Sequence, residues 1–172
     1  MNDYEYHEGN IFSIVAGFIN VLAIYLFSWY AFLDGGTTYY AYGIPTLKNW
    51  IAMISNPGGF AASIGTELWI IIILIILVLW FLISPLLQFG GYSSSEAGIL
   101  GSIPPIIVGL IFLFYSLNVI STDFSGIMSI FWEAGAVVEG LIPLHLALVG
   151  IPGAVGMYLM IIGGFVGLIG SI

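Results

Sequence analysis

Residues 68–89 read LWIIIILIILVLWFLISPLLQF, and from Ile70 to Leu79 every residue is aliphatic. A helix that packs against a core on one side and water on the other carries an apolar stripe, not an apolar circumference. This run is apolar all round. At about 1.5 Å per residue it is long enough to cross a hydrocarbon layer of about 30 Å. Thr66 and Glu67 lie at its start, and Ser84-Pro85 predicts a kink in its last turns.

Similar runs lie on both sides of it. Ile11–Leu33 is interrupted only by Ser13, Asn20 and Ser28, with Trp29 and Tyr30 near its end, and Asp34-Gly35-Gly36 stops it. Ile99–Ile120 carries Pro104-Pro105 near its beginning, where a first helical turn or a kink is expected. Leu141–Ile172 exceeds one perpendicular span, so it is expected to tilt or break, with Pro152 as the kink. These runs predict an all-α integral membrane protein. The expected architecture is a bundle of four transmembrane helices, at 11–33, 68–89, 99–120 and 141–172, forming one membrane domain.

The connections read as mostly interfacial. Residues 1–10 form an acidic tail with Asp3, Glu5, His7 and Glu8, and lack the positive region of a cleavable signal peptide. The long loop 34–65 holds Tyr39, Tyr40, Tyr42 and Trp50, residues that favour the headgroup level. Within it, 44–54 predicts a short surface helix with Leu47, Trp50, Ile51 and Ile54 on one face. Asn56-Pro57-Gly58-Gly59 reads as a turn. Ser93 and Glu96 have capping-box spacing. The segment 127–140, too short to span, reads as an interfacial or re-entrant helix. Trp29, Tyr30, Tyr39, Tyr40, Trp50 and Trp132 are the expected interfacial belt.

Composition narrows the function. Charged residues make up 6% of the chain and hydrophobic ones 60%, with a mean hydropathy of +1.15. So few charges cannot cover a soluble domain, which carries about 25%. Nine acids face one base, Lys48, and there is no arginine, so a basic nucleic-acid surface is excluded. Lys48 is available to pair with Asp34 or Glu67. The absence of cysteine removes thiolate ligands and cysteine nucleophiles. The acidic, arginine-free composition is archaeal-like. It suits an acidophilic archaeon or its virus, where low external pH would protonate many carboxylates.

Candidate sites are few. His145, ionisable and set in an apolar run, is the candidate cofactor-binding residue, for a haem, a quinone or a proton relay. A bis-histidine haem is disfavoured, because His7 is the other histidine and precedes the first run. Glu133, Glu139 and His145 are spaced by six, which does not place them on one helix face. Glu5, His7 and Glu8 are metal-ligating types on a tail that makes a poor cage. Gly153, Gly156, Gly163, Gly164 and Gly167 form a small-residue stripe suited to close helix packing. No cofactor is specified by a motif. Catalysis by the chain alone is not expected, since converging polar groups are scarce.

The expected function is a small structural or accessory subunit of a larger membrane complex, respiratory or otherwise redox, packed through the Gly-rich helix. The alternatives are a self-assembling component (pilin-like, capsid or envelope) and a small channel or carrier. The expected partners are the lipid bilayer and other membrane subunits or copies of itself. The expected location is a multi-pass position in the cell membrane.

Overall fold

The computed structural model describes residues 10–120 and 125–172. The acidic tail with Glu5, His7 and Glu8 lies outside them, as does Asp123. The chain is mostly helical and carries a small sheet. In order it forms α1 (Ile11–Val21), β1 (Tyr30–Asp34), β2 (Thr37–Ala41), α2 (Gly43–Ser55), α3 (Pro57–Ser63), α4 (Leu68–Gly90), α5 (Ser95–Ser116), α6 (Ser125–Met128), β3 (Trp132–Ala134) and α7 (Val155–Ile169). A π-helical turn, Leu22–Leu26, extends α1, and a 3₁₀ turn, Ser129–Phe131, precedes β3.

Two helices, α4 and α5, are long and apolar enough to cross a membrane. The apolar helices α1, with its π turn, and α7 are shorter. These four pack side by side: α1 touches α4 and α7, and α5 touches α4 and α7. Both long helices tolerate internal prolines for a traceable reason. Pro85 has no N–H for the Phe81 carbonyl, and the Ser84 hydroxyl donates to that oxygen instead, at 2.7 Å. Pro104 likewise abandons the Leu100 carbonyl, which receives the Trp80 indole N–H at 3.0 Å. Pro104 and Pro105 therefore lie deep within α5 and not in its first turn. The helix starts at Ser95 because the Ser94 hydroxyl caps the Ala97 N–H, one residue beyond the expected Ser93 cap.

At the C-terminal end of α1 the architecture departs from an all-α bundle. The first run ends as a helix at Leu26, and its last residues enter a hairpin. Phe32 pairs with Tyr39 and Asp34 with Thr37, around Gly35 and Gly36 at φ +54° and +83°. A two-residue turn with both central residues at positive φ is the type I′ geometry that matches strand twist, and Gly enters it without steric cost. The third strand pairs antiparallel with β2, giving the order β1-β2-β3. The expected helix over 127–140 is thus replaced by α6, the 3₁₀ turn and β3, with Gly135 at φ +75° leading away.

The last run is shorter than a full-length span as well. Residues 141–154 are irregular, and α7 begins only at Val155. Gly150 and Gly153 adopt φ +78° and +76°, which a right-handed helix excludes. Pro152 stands ahead of the helix and kinks nothing. Asn56-Pro57 opens α3 instead of forming a free turn: the Asn56 side chain accepts from the Gly59 N–H, and proline occupies the first helical position.

The sheet, α2, α3 and the irregular loop make a cap on this end of the helices. Trp29 joins cap to bundle. It is fully buried, with its ring edge-on to Phe81 and Phe112 at 5.4 Å and near Phe131 at 6.1 Å, and its N–H donates to Ala23 O at 2.8 Å. It belongs to the core and not to an exposed belt. Tyr30, Phe32, Tyr39 and Trp132 share one face of the sheet, with Phe32 stacked on Tyr39 at 5.1 Å. On α2 the exposed stripe is Leu47, Ile51 and Ile54; Trp50 turns inward and donates to Ile75 O of α4 at 2.9 Å.

Candidate functional site

Two polar constellations stand out, one inside the bundle and one on the cap. The first grows from residues the helices bury. Asn20 on α1 donates through Nδ2 to Gln88 Oε1 on α4 at 2.8 Å. Gln88 Nε2 reaches Ser102 Oγ on α5 at 3.3 Å and Gly163 O on α7 at 3.4 Å. Ser102 Oγ donates to Gly98 O at 2.7 Å. One hydrogen-bonded junction thus touches all four helices. Asn20, Gln88 and Ser102 are completely buried. Among the described residues Asn20 Oδ1 is buried and finds no hydrogen-bond donor, and Tyr42 Oη in the cap is likewise buried without a partner.

The glycine stripe is what lets this junction close. A Cβ added at Gly163 would lie 2.7 Å from Asn20 Oδ1, and one at Gly167 would lie 2.8 Å from Gln88 Nε2. At Gly164 it would meet Ser102 O at 2.9 Å, and at Gly156 the Ser28 backbone O at 2.5 Å. These four glycines face α1, α4, α5 and the α1–β1 link within the same chain. Gly153 sits apart, at the loop's positive-φ position before α7. The junction is close-packed and uncharged, and it carries no acid–base pair.

The second constellation forms around His145. Two hydrogen bonds clamp the loop to the end of α1: Ser28 N–H donates to Leu144 O at 3.3 Å, and Leu144 N–H to Leu26 O at 2.8 Å. They set His145 beside Ser28, whose hydroxyl lies 2.7 Å from His145 Nδ1. Ser28 is fully buried, whereas His145 is exposed. The Tyr40 ring is 5.7 Å away, centre to centre. Partial desolvation holds the imidazole below its ordinary pKa, favouring the neutral ring.

His145 forms part of the wall of a cleft of about 460 Å³, shared with Thr37, Thr38, Tyr40, Gly135 and Glu139. Glu133 does not belong to it. Its carboxylate takes both oxygens to Lys48 Nζ at 2.7 Å, tying β3 to α2 across the surface. Lys48 is therefore spent on Glu133 and not on Asp34 or Glu67, while Glu67 receives the Trp69 indole N–H. Of the three ionisable residues singled out around His145, the fold gathers Glu139 and His145 in one cleft and sends Glu133 elsewhere. Among the described residues no three acids, histidines or cysteines gather in the manner of a metal site.

Reading the sequence missed both Ser28 and Gln88. Ser28 meets His145 across 117 positions, and nothing local marks that pairing. Gln88 did carry a signal: an amide in an otherwise apolar run needs a partner. Compared with protein-family models, curated proteins and solved structures, the chain matches none of them.

Proposed function

We propose that the chain is an integral membrane protein whose four packed helices all lie in the bilayer, and that it serves as a structural or accessory subunit of a larger membrane complex. The membrane part of this reading is supported by an inverted distribution of side chains. On α1 the outward residues are Ile11, Phe12, Val15, Phe18 and Leu22, and the inward ones are Ser13, Ala16, Gly17 and Asn20. On α7 the outward residues are Ile162, Phe165 and Ile169, and the inward ones include Gly156, Gly163, Gly164 and Gly167. Water would select the reverse arrangement; lipid tolerates apolar exteriors and favours small and hydrogen-bonding residues between helices.

The observation that carries the subunit reading is the loop between β3 and α7. Val137, Val138, Leu141, Leu146, Leu148, Val149 and Ile151 are all exposed on largely irregular backbone. Hydrocarbon does not accept irregular backbone, because its N–H and C=O groups would go unsatisfied. Water does not favour such a concentration of bare aliphatic groups. A second protein surface meets both requirements. The close-packed junction of Asn20, Gln88 and Ser102 also argues against a solute path through a single copy of this chain.

Purification from native membranes in mild detergent tests this. The reading predicts a stoichiometric complex with other subunits, lost when Leu148 and Val149 are both changed to Asp. A monodisperse single chain would overturn the subunit role while leaving the membrane reading standing, and a ladder of identical chains would point to self-assembly instead.

A further inference from the structure

The cleft beside His145 has a definite electrostatic character. Of the residues that line it, Glu139 is the acid, and no lysine or arginine joins it. The chain has a single basic side chain of that kind, and Lys48 is held at 2.7 Å by both oxygens of Glu133. Glu139 is exposed and lines the cleft, and among the described residues no lysine lines it with the carboxylate. The cleft is also lined by Tyr40 and Thr38, which share one face of β2, and by Thr37 at the start of that strand. The imidazole is anchored through Nδ1 by Ser28, and partial desolvation lowers its pKa, which favours the uncharged ring.

A carboxylate, an aromatic face and neutral hydrogen-bonding groups around one cavity match one class of ligand. An ammonium group pairs with the carboxylate, lies against the ring by cation–π attraction, and donates any N–H to hydroxyl or imidazole acceptors. An anion would meet Glu139 with no compensating charge. A divalent ion would find too few hard ligands, Glu139 and a neutral imidazole being the strong ones.

We propose that the cleft formed by Thr37, Thr38, Tyr40, Glu139 and His145 is a binding site for a small alkylammonium group. The group belongs either to a free amine or to the headgroup of an amino lipid. The cleft shares the β3–α7 loop with the surface assigned above to a partner, and the test reads amine binding on the chain alone, so failure of one reading leaves the other standing.

The test uses the full chain in detergent, with ¹³C-labelled histidine and tyrosine, titrated with ethylammonium chloride. His145 and Tyr40 resonances are expected to shift saturably, with no matching response to sodium chloride at equal ionic strength. Glu139→Gln should weaken the apparent affinity about tenfold, a loss of about 1.4 kcal/mol. Tyr40→Leu should weaken it as well, whereas Glu67→Gln, at the head of α4, should bind as the natural chain does. Unchanged thermal unfolding of Glu139→Gln shows that the fold survives. Nanodiscs separate the two sources. Shifts already present in ethanolamine-headgroup lipid, and absent in glycerol-headgroup lipid, assign the lipid; shifts that need added amine in both assign the free form. No saturable shift, an equal shift with sodium chloride, or undiminished binding by Glu139→Gln would each overturn the site.

Discussion

Between α1, α4, α5 and α7 the buried residues include Ser13, Ala16, Asn20, Gln88, Ser102 and the glycines of α7; beneath the sheet and α2 they are Trp29, Tyr42, Met53, Ile130 and Phe131. The first set, at the amide junction, is small or amide-bearing; the second is large and apolar, and Phe81, Phe112, Met157 and Met160 continue it into the helices. The contrast follows from what each region has outside it. Where the exterior is aliphatic, burying more aliphatic surface yields little, and helices gain by close backbone approach and hydrogen bonds. On the proposed membrane reading the cap meets a more polar layer, where burying large rings regains its ordinary advantage. One chain thus uses two packing rules, and Trp29 lies at their border.

Glycine substitutions should separate the two regions most sharply. Gly156→Val puts a side chain onto the Ser28 backbone, which cannot yield cheaply, and should cost about 3 kcal/mol. Gly135→Ala, in open space on the cap at φ +75°, should cost only about 1 kcal/mol, through backbone strain alone. Reversible unfolding in mixed micelles of mild detergent and dodecyl sulfate measures both. Equal costs would erase the distinction.

The amide junction comes next. Gln88→Leu strands the Asn20 donor between helices and should cost about 2 kcal/mol. Asn20→Leu combined with Gln88→Leu should cost less than the two singles added, since both partners then leave together. Strict additivity would mean that the pair does not couple.

Trp80→Phe should be milder, at about 1 kcal/mol. It removes the donor that replaces the missing Pro104 N–H at Leu100 O, and keeps most of the ring's bulk. Restoring the helix bond with Pro104→Ala should make the Trp80 change nearly silent in the same unfolding assay.

The smallest effects belong to the cap's surface. Lys48→Met should cost less than about 0.5 kcal/mol, because its pair with Glu133 is exposed and screened. His145 should contribute a weak pH dependence. Its pKa in the folded chain is depressed, so below the unfolded value of about 6.5 the unfolded chain binds more protons and stability declines. The decline is complete once pH has fallen through the folded value, and His145→Gln should flatten it. Stability that rises on acidification between those limits, in the natural chain and not in the variant, would reverse the assignment.

These contrasts also explain what could be read from residue order. The helix at α4 was legible because Ile70–Leu79 offers no polar residue for a loop to use. The hairpin was hidden in plain view: Asp34-Gly35-Gly36 is a turn signal, but Tyr30-Ala31-Phe32-Leu33 continued an apolar run and was absorbed into a helix. Strand and helix look alike where every residue is apolar, since periodicity vanishes. The last run failed the same way, because Gly150 and Gly153 count as small and apolar while their backbone excludes helix. His145 was identifiable by type. Its partner Ser28, and the divergence of Glu133 from Glu139, depend on contacts between segments far apart in sequence, which spacing does not encode.

The central claim is that the helices are apolar outward because lipid surrounds them. The chain has no cysteine, so single-cysteine variants need no background removal. Ile76→Cys on α4 and Phe165→Cys on α7, spin-labelled and reconstituted into bilayers, should collide readily with oxygen and scarcely with a water-soluble nickel complex. Asp34→Cys, at the hairpin tip, should show the opposite preference. Nickel-dominated collisions at Ile76 and Phe165 would contradict the account.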